Sequence, residues 1–160
     1  MSNSAPLRRR ALIPVQSCAL ARATEEIGDR WSLLILREAF YGVMRYDDMR
    51  ADLGIPRSML SDRLAKLVAN GCLEKRPYRE AGDRQRFAYA LTEKGRGLAT
   101  TVIALTQWSE TFILGGPGLV DIVDETTGKP VKAALVDEDG HVVPADMATA
   151  VLRSAKSGED

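Results

Sequence analysis

The 160-residue sequence predicts a mainly α-helical domain carrying one β-hairpin, an α+β arrangement, followed by a small β-rich C-terminal extension. Three observations predict it. Leu60, Leu64, Leu67 and Val68 recur at i, i+4, i+7 and i+8, the stripe of an amphipathic helix that opens at Pro56 and stops at Gly71. Immediately afterwards, Phe87, Tyr89 and Leu91 alternate with Arg86, Ala88 and Ala90, the period of a half-buried strand. Leu73 to Tyr78 supplies a partner strand, and the charged connection contains a Gly82-Asp83 turn signal. Finally, composition changes at Gly115-Gly116-Pro117-Gly118, beyond which the chain is acidic.

In chain order, Met1 to Arg10 is Ser-rich and then basic without periodicity, and residues 1–14 read as a flexible arm. Cys18 precedes a short helix with Leu20, Ala23 and Ile27 on one face. A thiol at a helix N-terminus feels the positive end of the dipole, which favours thiolate, and Arg22 lies a turn away. Cys18 is therefore a candidate redox sensor, the alternative being a packed, inert cysteine. Asp29 can cap the next helix, Trp31 to Tyr41, whose Leu33, Leu34, Ile35, Leu36, Ala39 and Phe40 make it nearly all core. Tyr46 to Leu53 is a third helix with Tyr46, Met49 and Leu53 inward, and Gly54 turns the chain into the Pro56 helix. A short helix, a glycine turn and a second amphipathic helix make a helix-turn-helix; the hairpin extends it to a winged helix-turn-helix.

That arrangement directs attention to the outer face of the Pro56 helix. At about 100° per residue, Ser58, Asp62, Ala65 and Lys66 lie opposite the apolar stripe, with Ser61 and Arg63 on its flanks. Short polar side chains let a helix enter a major groove closely and bond to base edges or phosphates. Between Arg57 and Arg96 there are ten basic and five acidic residues, a local excess that suits a polyanion. The expected division of labour places Ser58, Asp62 and Lys66 at base edges and Arg45, Tyr46 and Arg57 on the backbone. Arg84 or Arg86, from the wing, enters an adjacent minor groove.

From Thr92 a long helix is expected to run to about Leu114, with Leu98, Val102, Leu105 and Phe112 at heptad-like spacing and Trp108 beside them. This stripe exceeds what one small winged helix buries. It is the expected dimer interface, intramolecular packing being the alternative. Residues 15–114 thus form the DNA-binding and dimerisation domain. In residues 115–160, strand-like runs at Leu119–Val123, Val131–Val136 and His141–Val143 are separated by Thr127-Gly128 and Asp139-Gly140, both hairpin signals, and Ala145 to Leu152 reads as a short helix.

The net charge of zero conceals a division, because Met1 to Leu114 carries 18 basic and 13 acidic residues whereas Gly115 to Asp160 carries 4 and 9. Only the first part suits nucleic acid. Two separated cysteines and one histidine, His141, offer no structural zinc set, so neither a metal nor a cofactor is expected. No apolar run is long enough for a membrane span and no signal peptide is legible, which points to the cytoplasm. An enzyme finds no support in a nucleophile elbow, a phosphate-cradling loop or a His-Glu metal motif. A winged helix used as a protein-interaction module is the second rival, and the Arg-rich wing argues against it.

From Cys18 to about Phe112 the chain resembles the HxlR family of bacterial winged-helix transcription regulators. The resemblance lies in three blocks, CALARATEEIGDRWSLLILREAFYGVMRYDDM, LSDRLAKLVANGCLEKRPY and FAYALTEKGRGL. It implies a homodimer paired through terminal helices, with Leu20 joining that interface, a recognition helix at Arg57 to Asn70, a wing at Lys75 to Leu91 and double-stranded DNA as partner. Members repress or activate operons, and some respond to electrophiles or oxidants through a cysteine matching Cys18, so the expectation is a regulator, a repressor, on a pseudo-palindromic operator with a redox or small-molecule effector. Three departures stand out. Pro56-Arg57 replaces a Ser-Pro pair, leaving Ser58 to supply the phosphate contact; Ala19 replaces a proline; and the extension lacks the Cys-Gly knuckles some members carry.

Overall fold

The computed structural model describes residues 11–79 and 84–153. The flexible arm expected of Met1 to Arg10, the Gly82-Asp83 turn and the polar C-terminus lie outside the described residues. The helices and strands that position the candidate interface are α1 (Ala19–Ile27), α2 (Arg30–Phe40), α3 (Tyr46–Leu53), α4 (Arg57–Ala69), β1 (Leu73–Tyr78), β2 (Arg86–Leu91), α5 (Glu93–Arg96) and α6 (Ala99–Ser109). β3 (Leu135–Val136) and β4 (Val142–Val143) follow in the extension. By contact the chain forms two compact units: one is Ala23–Ala134, and the other joins the described residues of its two ends, 11–22 and 135–153.

Each element follows from local chemistry. Asp29 caps α2 by accepting from the Ser32 N–H at 3.1 Å and the Ser32 hydroxyl at 2.6 Å. Gly54 ends α3 in the left-handed region, φ 58°, which a glycine adopts without the Cβ penalty and which makes the turn into α4 sharp. α4 buries Leu60, Leu64 and Leu67 and leaves Val68 half-buried. These meet Ile35 and Leu36 of α2, Met49 of α3 and Leu73 of β1 in one core. Full burial of such side chains stabilises by roughly 1.5–3 kcal/mol each, so this core outweighs every surface contact described below.

β1 and β2 pair antiparallel with Leu73 opposite Leu91 and Tyr78 opposite Arg86. The segment before α3 joins them: the Tyr89 N–H donates to the Met44 carbonyl at 2.7 Å, and Arg45 bridges to Ala88. The wing is thereby tied to the entrance of α3.

The structure corrects three expectations. The single helix from Thr92 to Leu114 is broken after Arg96 by a turn at Gly97 and Leu98, and α6 then runs on into a π-helical turn, Glu110–Leu114. Gly95 and Gly97, both poor helix formers, lie at the break, and Gly95 packs closely on the Cys72 backbone, where an added Cβ would lie 2.1 Å from the carbonyl oxygen. α5 is a separate buttress against the hairpin, capped by the Thr92 hydroxyl, which accepts from the Gly95 N–H at 3.0 Å. In the extension, Leu119–Val123 and Val131–Val136 are not full strands. A hairpin does form around Asp124 and Gly128, with Val131 N–H donating to Ile122 O at 2.9 Å, but Pro130 offers no N–H and regular pairing is short. Ala145 to Leu152 is helical only at Ala145–Met147, as a 3-10 turn.

Candidate nucleic-acid interface

Where α4 turns its back on the core it presents Arg57, Ser58, Ser61, Asp62 and Ala65, all exposed. No bulky apolar side chain interrupts this strip, so a groove edge can approach the helix closely. The Tyr46 hydroxyl donates to the Arg57 carbonyl at 2.9 Å and lies 3.0 Å from Ser61 Oγ, fastening α3 to the first turn of α4. Among the described residues, no side-chain hydrogen bond or ion pair engages Arg57, Ser58, Asp62 or Arg84. These four side chains can meet a ligand without first losing a partner.

Two basic residues of α4 are placed differently from the rest of that face. Lys66 is half-buried, and its ammonium donates to the Glu25 carbonyl at 2.7 Å, at the C-terminal end of α1. A cation there also complements the negative end of the α1 dipole. Arg63 Nε donates to Asp29 Oδ1 at 2.8 Å, and Asn70 reaches toward the Glu26 carbonyl at 3.5 Å. Burial works against the charge on Asp29, but the Ser32 hydroxyl and N–H and the Arg63 guanidinium outweigh it and hold the carboxyl below its ordinary 3.8. Asp29 thus joins the cap of α2 to α4, a role that sequence spacing did not reveal because its partner is 34 residues away.

On the wing side, the Arg45 guanidinium lies over the Tyr78 ring at 4.8 Å, and Arg86 approaches Asp47 at 3.5 Å with both side chains largely exposed. An exposed pair of that kind is worth about 0–1 kcal/mol and exchanges readily for a phosphate. Arg84, the first described residue before β2, is exposed. The fold therefore brings Arg45, Arg57, Ser58, Ser61, Asp62 and the wing arginines into one unit, and it ties Tyr46, Arg63 and Lys66 to protein groups.

The remaining sequence-derived candidates divide. Leu20, Trp108 and Phe112 are 72%, 55% and 72% exposed, and Leu105 is also exposed. Leu98 instead packs against the core, and Val102 is half-buried. Cys18 is a half-buried free thiol immediately before α1, whereas Cys72 is buried at the head of β1, and burial pushes its thiol up. His141 is on the surface as expected, with Asp137 and Asp139 close enough that their ligand atoms all lie within 4.8 Å. Those groups are all exposed, and a search confined to Cys and His does not find such a cluster. Among the described residues, no helix is long and apolar enough to cross a membrane.

An exposed, groove-sized helix face behind a tight glycine turn, flanked by an antiparallel hairpin with exposed arginines, defines the winged helix-turn-helix class. The chain belongs to the HxlR-like helix-turn-helix family, whose model matches residues 26–115. It is similar to an uncharacterized HTH-type transcriptional regulator of Mycobacterium tuberculosis, 45% identical over 95 residues, a match spanning 59% of this chain and 59% of the relative's length. Among solved structures, PA1607, described as a candidate transcription factor, is 35% identical with a TM-score of 0.74, covering 86% of this chain and 96% of that one. The redox regulator HypR in its oxidized form is 26% identical with a TM-score of 0.53, covering 59% of this chain and 96% of its own.

Proposed function

We propose that this chain is a sequence-specific DNA-binding transcriptional regulator, a repressor, that acts as a homodimer on a pseudo-palindromic operator. The observation that carries the reading is the exposed outer face of α4, with Arg57, Ser58 and Asp62 unengaged beside an arginine-bearing wing. Family membership and relatives named as transcriptional regulators support it. In this reading α4 lies in a major groove, where Ser58 and Asp62 meet base edges and Arg57 meets the backbone, while Arg84 and Arg86 reach an adjacent groove. Dimerisation supplies the second half-site, since one winged helix contacts too few base pairs for specificity. Mobility-shift titration of genomic fragments with excess random competitor tests the reading. A subset of fragments retained through the competition is expected; uniform loss of all fragments would favour a protein-interaction module instead.

Control belongs to the same proposal. Cys18 sits at the head of α1, and α1 is joined to α4 through Lys66, so an adduct or intersubunit disulfide at Cys18 bears on a helix that touches the DNA-reading one. HypR, a redox regulator, shares the fold. Diamide should lower operator affinity of the wild type and leave Cys18→Ser unaffected; equal responses from the two would remove Cys18 from the account.

A further inference from the structure

We propose that the pocket lined by α2, α6 and the first residues of the extension, open to solvent on one side, binds a small aromatic cation, a compact ring system bearing a protonated amine. The cavity measures about 320 Å³, enough for one or two fused rings. Its floor is one face of α6 and of the π-helical turn that continues it, where Ile103, Thr106 and Glu110 follow one another. Phe40 and Tyr41, from the end of α2, supply aromatic walls. Val120 and Ile122 close it from the extension.

The enclosure is held in place by α6 itself. Glu110 Oε1 accepts from the Gly118 N–H at 2.9 Å, where the extension begins its return. One turn earlier, the Gln107 side-chain amide accepts from the Ala133 N–H at 3.0 Å and donates to the Val131 carbonyl at 3.3 Å, which seats the hairpin's second arm on the same helix. These are directional bonds on backbone groups, so the roof has a defined register.

Charge selects the ligand class. Arg37 lines the pocket with its guanidinium 5.8 Å from the Tyr41 ring centroid, but it is bound to Glu38, whose side chain is 4% exposed, and that positive charge is already compensated. Glu110 remains uncompensated: among the described residues its Oε2 takes part in no hydrogen bond. Thr106 Oγ1 donates to the Val102 carbonyl at 3.0 Å and keeps its lone pairs for a donor. A carboxylate and a hydroxyl acceptor beside Phe40 suit an ammonium group carried on an apolar ring, the Tyr41 ring being already engaged by Arg37. An anion would face Glu110 with no free cation to meet it.

The site also has a consequence for α6. Leu105 and Trp108 lie about 200–260° around α6 from Thr106, on its other side. A ligand on the cavity side therefore bears on the helix whose other face is the candidate dimer surface. The ligand site itself does not depend on the DNA-binding reading.

Calorimetric titration of the full chain with tryptamine, indole and indole-3-acetate tests the proposal by binding alone. Tryptamine should bind once per chain and more tightly than indole, and indole-3-acetate should bind least. Glu110→Gln, which keeps an oxygen for the Gly118 N–H but removes the charge, should weaken tryptamine by about tenfold or more and leave indole unchanged. Ile103→Trp and Thr106→Phe each fill the cavity and should abolish binding in whichever of them retains the wild-type unfolding midpoint. Absence of tryptamine binding at millimolar concentration, preference for indole-3-acetate, or indifference to Glu110→Gln would overturn the assignment.

Discussion

Lys66 and Arg63 illustrate how a charged side chain of α4 can find a partner elsewhere in the fold. From helical rotation Lys66 lies opposite the apolar stripe and Arg63 on its flank, and Lys66 was expected at a base edge. The structure places its ammonium 2.7 Å from the Glu25 carbonyl and Arg63 2.8 Å from Asp29. Spacing could not show this, because the partners lie 41 and 34 residues away and are brought close only by the tertiary fold. The consequence is measurable. A cation that neutralises a phosphate contributes about 0.9 to the slope of log affinity against log salt. Lys66→Met should leave that slope as in the wild type while lowering affinity through a displaced α4, whereas Arg84→Ala should flatten it by about 1. The reverse pattern would return Lys66 to the DNA surface.

Asp29 makes a second prediction at this scale. Its carboxyl is held below 3.8, so the folded chain favours the ionised form. A depressed folded pKa gives stability that is complete above the unfolded value and is lost as pH falls through the folded one. Asp29→Asn should therefore cost more at pH 7 than at pH 3. Asparagine caps a helix about as well as aspartate, so the loss at neutral pH is that of the charge facing Arg63, about 0.2–1 kcal/mol. Urea midpoints of the two chains at both pH values measure it, and an equal gap at pH 7 and pH 3 would show that the charge contributes nothing.

Among the elements, those with strong periodicity and clear stops were legible in the sequence. The apolar stripe of α4, the alternation in β2 and the glycine after α3 each correspond to an element found in place. The helix after the wing was legible only in part. Heptad spacing carried the expectation across Gly95 and Gly97, two poor helix formers, but the chain turns at Gly97 and Leu98 between α5 and α6. Leu98 is consequently drawn into the core and leaves the candidate dimer stripe, which begins further along at Leu105. The extension was the least legible stretch, because its order depends on Gln107 and Glu110, two α6 side chains that bond to its backbone without any pattern in the sequence. For α6 the prediction concerns Trp108 and Phe112, whose ring centroids are 6.0 Å apart on an exposed face. If this face pairs two copies, Phe112→Asp should shift sedimentation at micromolar concentration from dimer to monomer with the unfolding midpoint little changed. A wild type that sediments as a monomer would remove the interface.

At the scale of the molecule, the division of charge was visible from composition, and the unit Ala23–Ala134 contains both the α4 face and the wing. What composition leaves open is whether that face reads sequence, holds any polyanion or meets a protein. Selection of random duplexes by the full chain, with the retained pool sequenced and rebound across a salt series, tests this most directly. The account predicts an enriched inverted repeat with half-sites centred about 10–10.5 base pairs apart, or a multiple of that, and a steep negative salt slope. It also predicts that Ser58→Ala or Asp62→Ala alters the enriched bases without altering their spacing. A retained pool with no motif, or a motif indifferent to both substitutions, would contradict it.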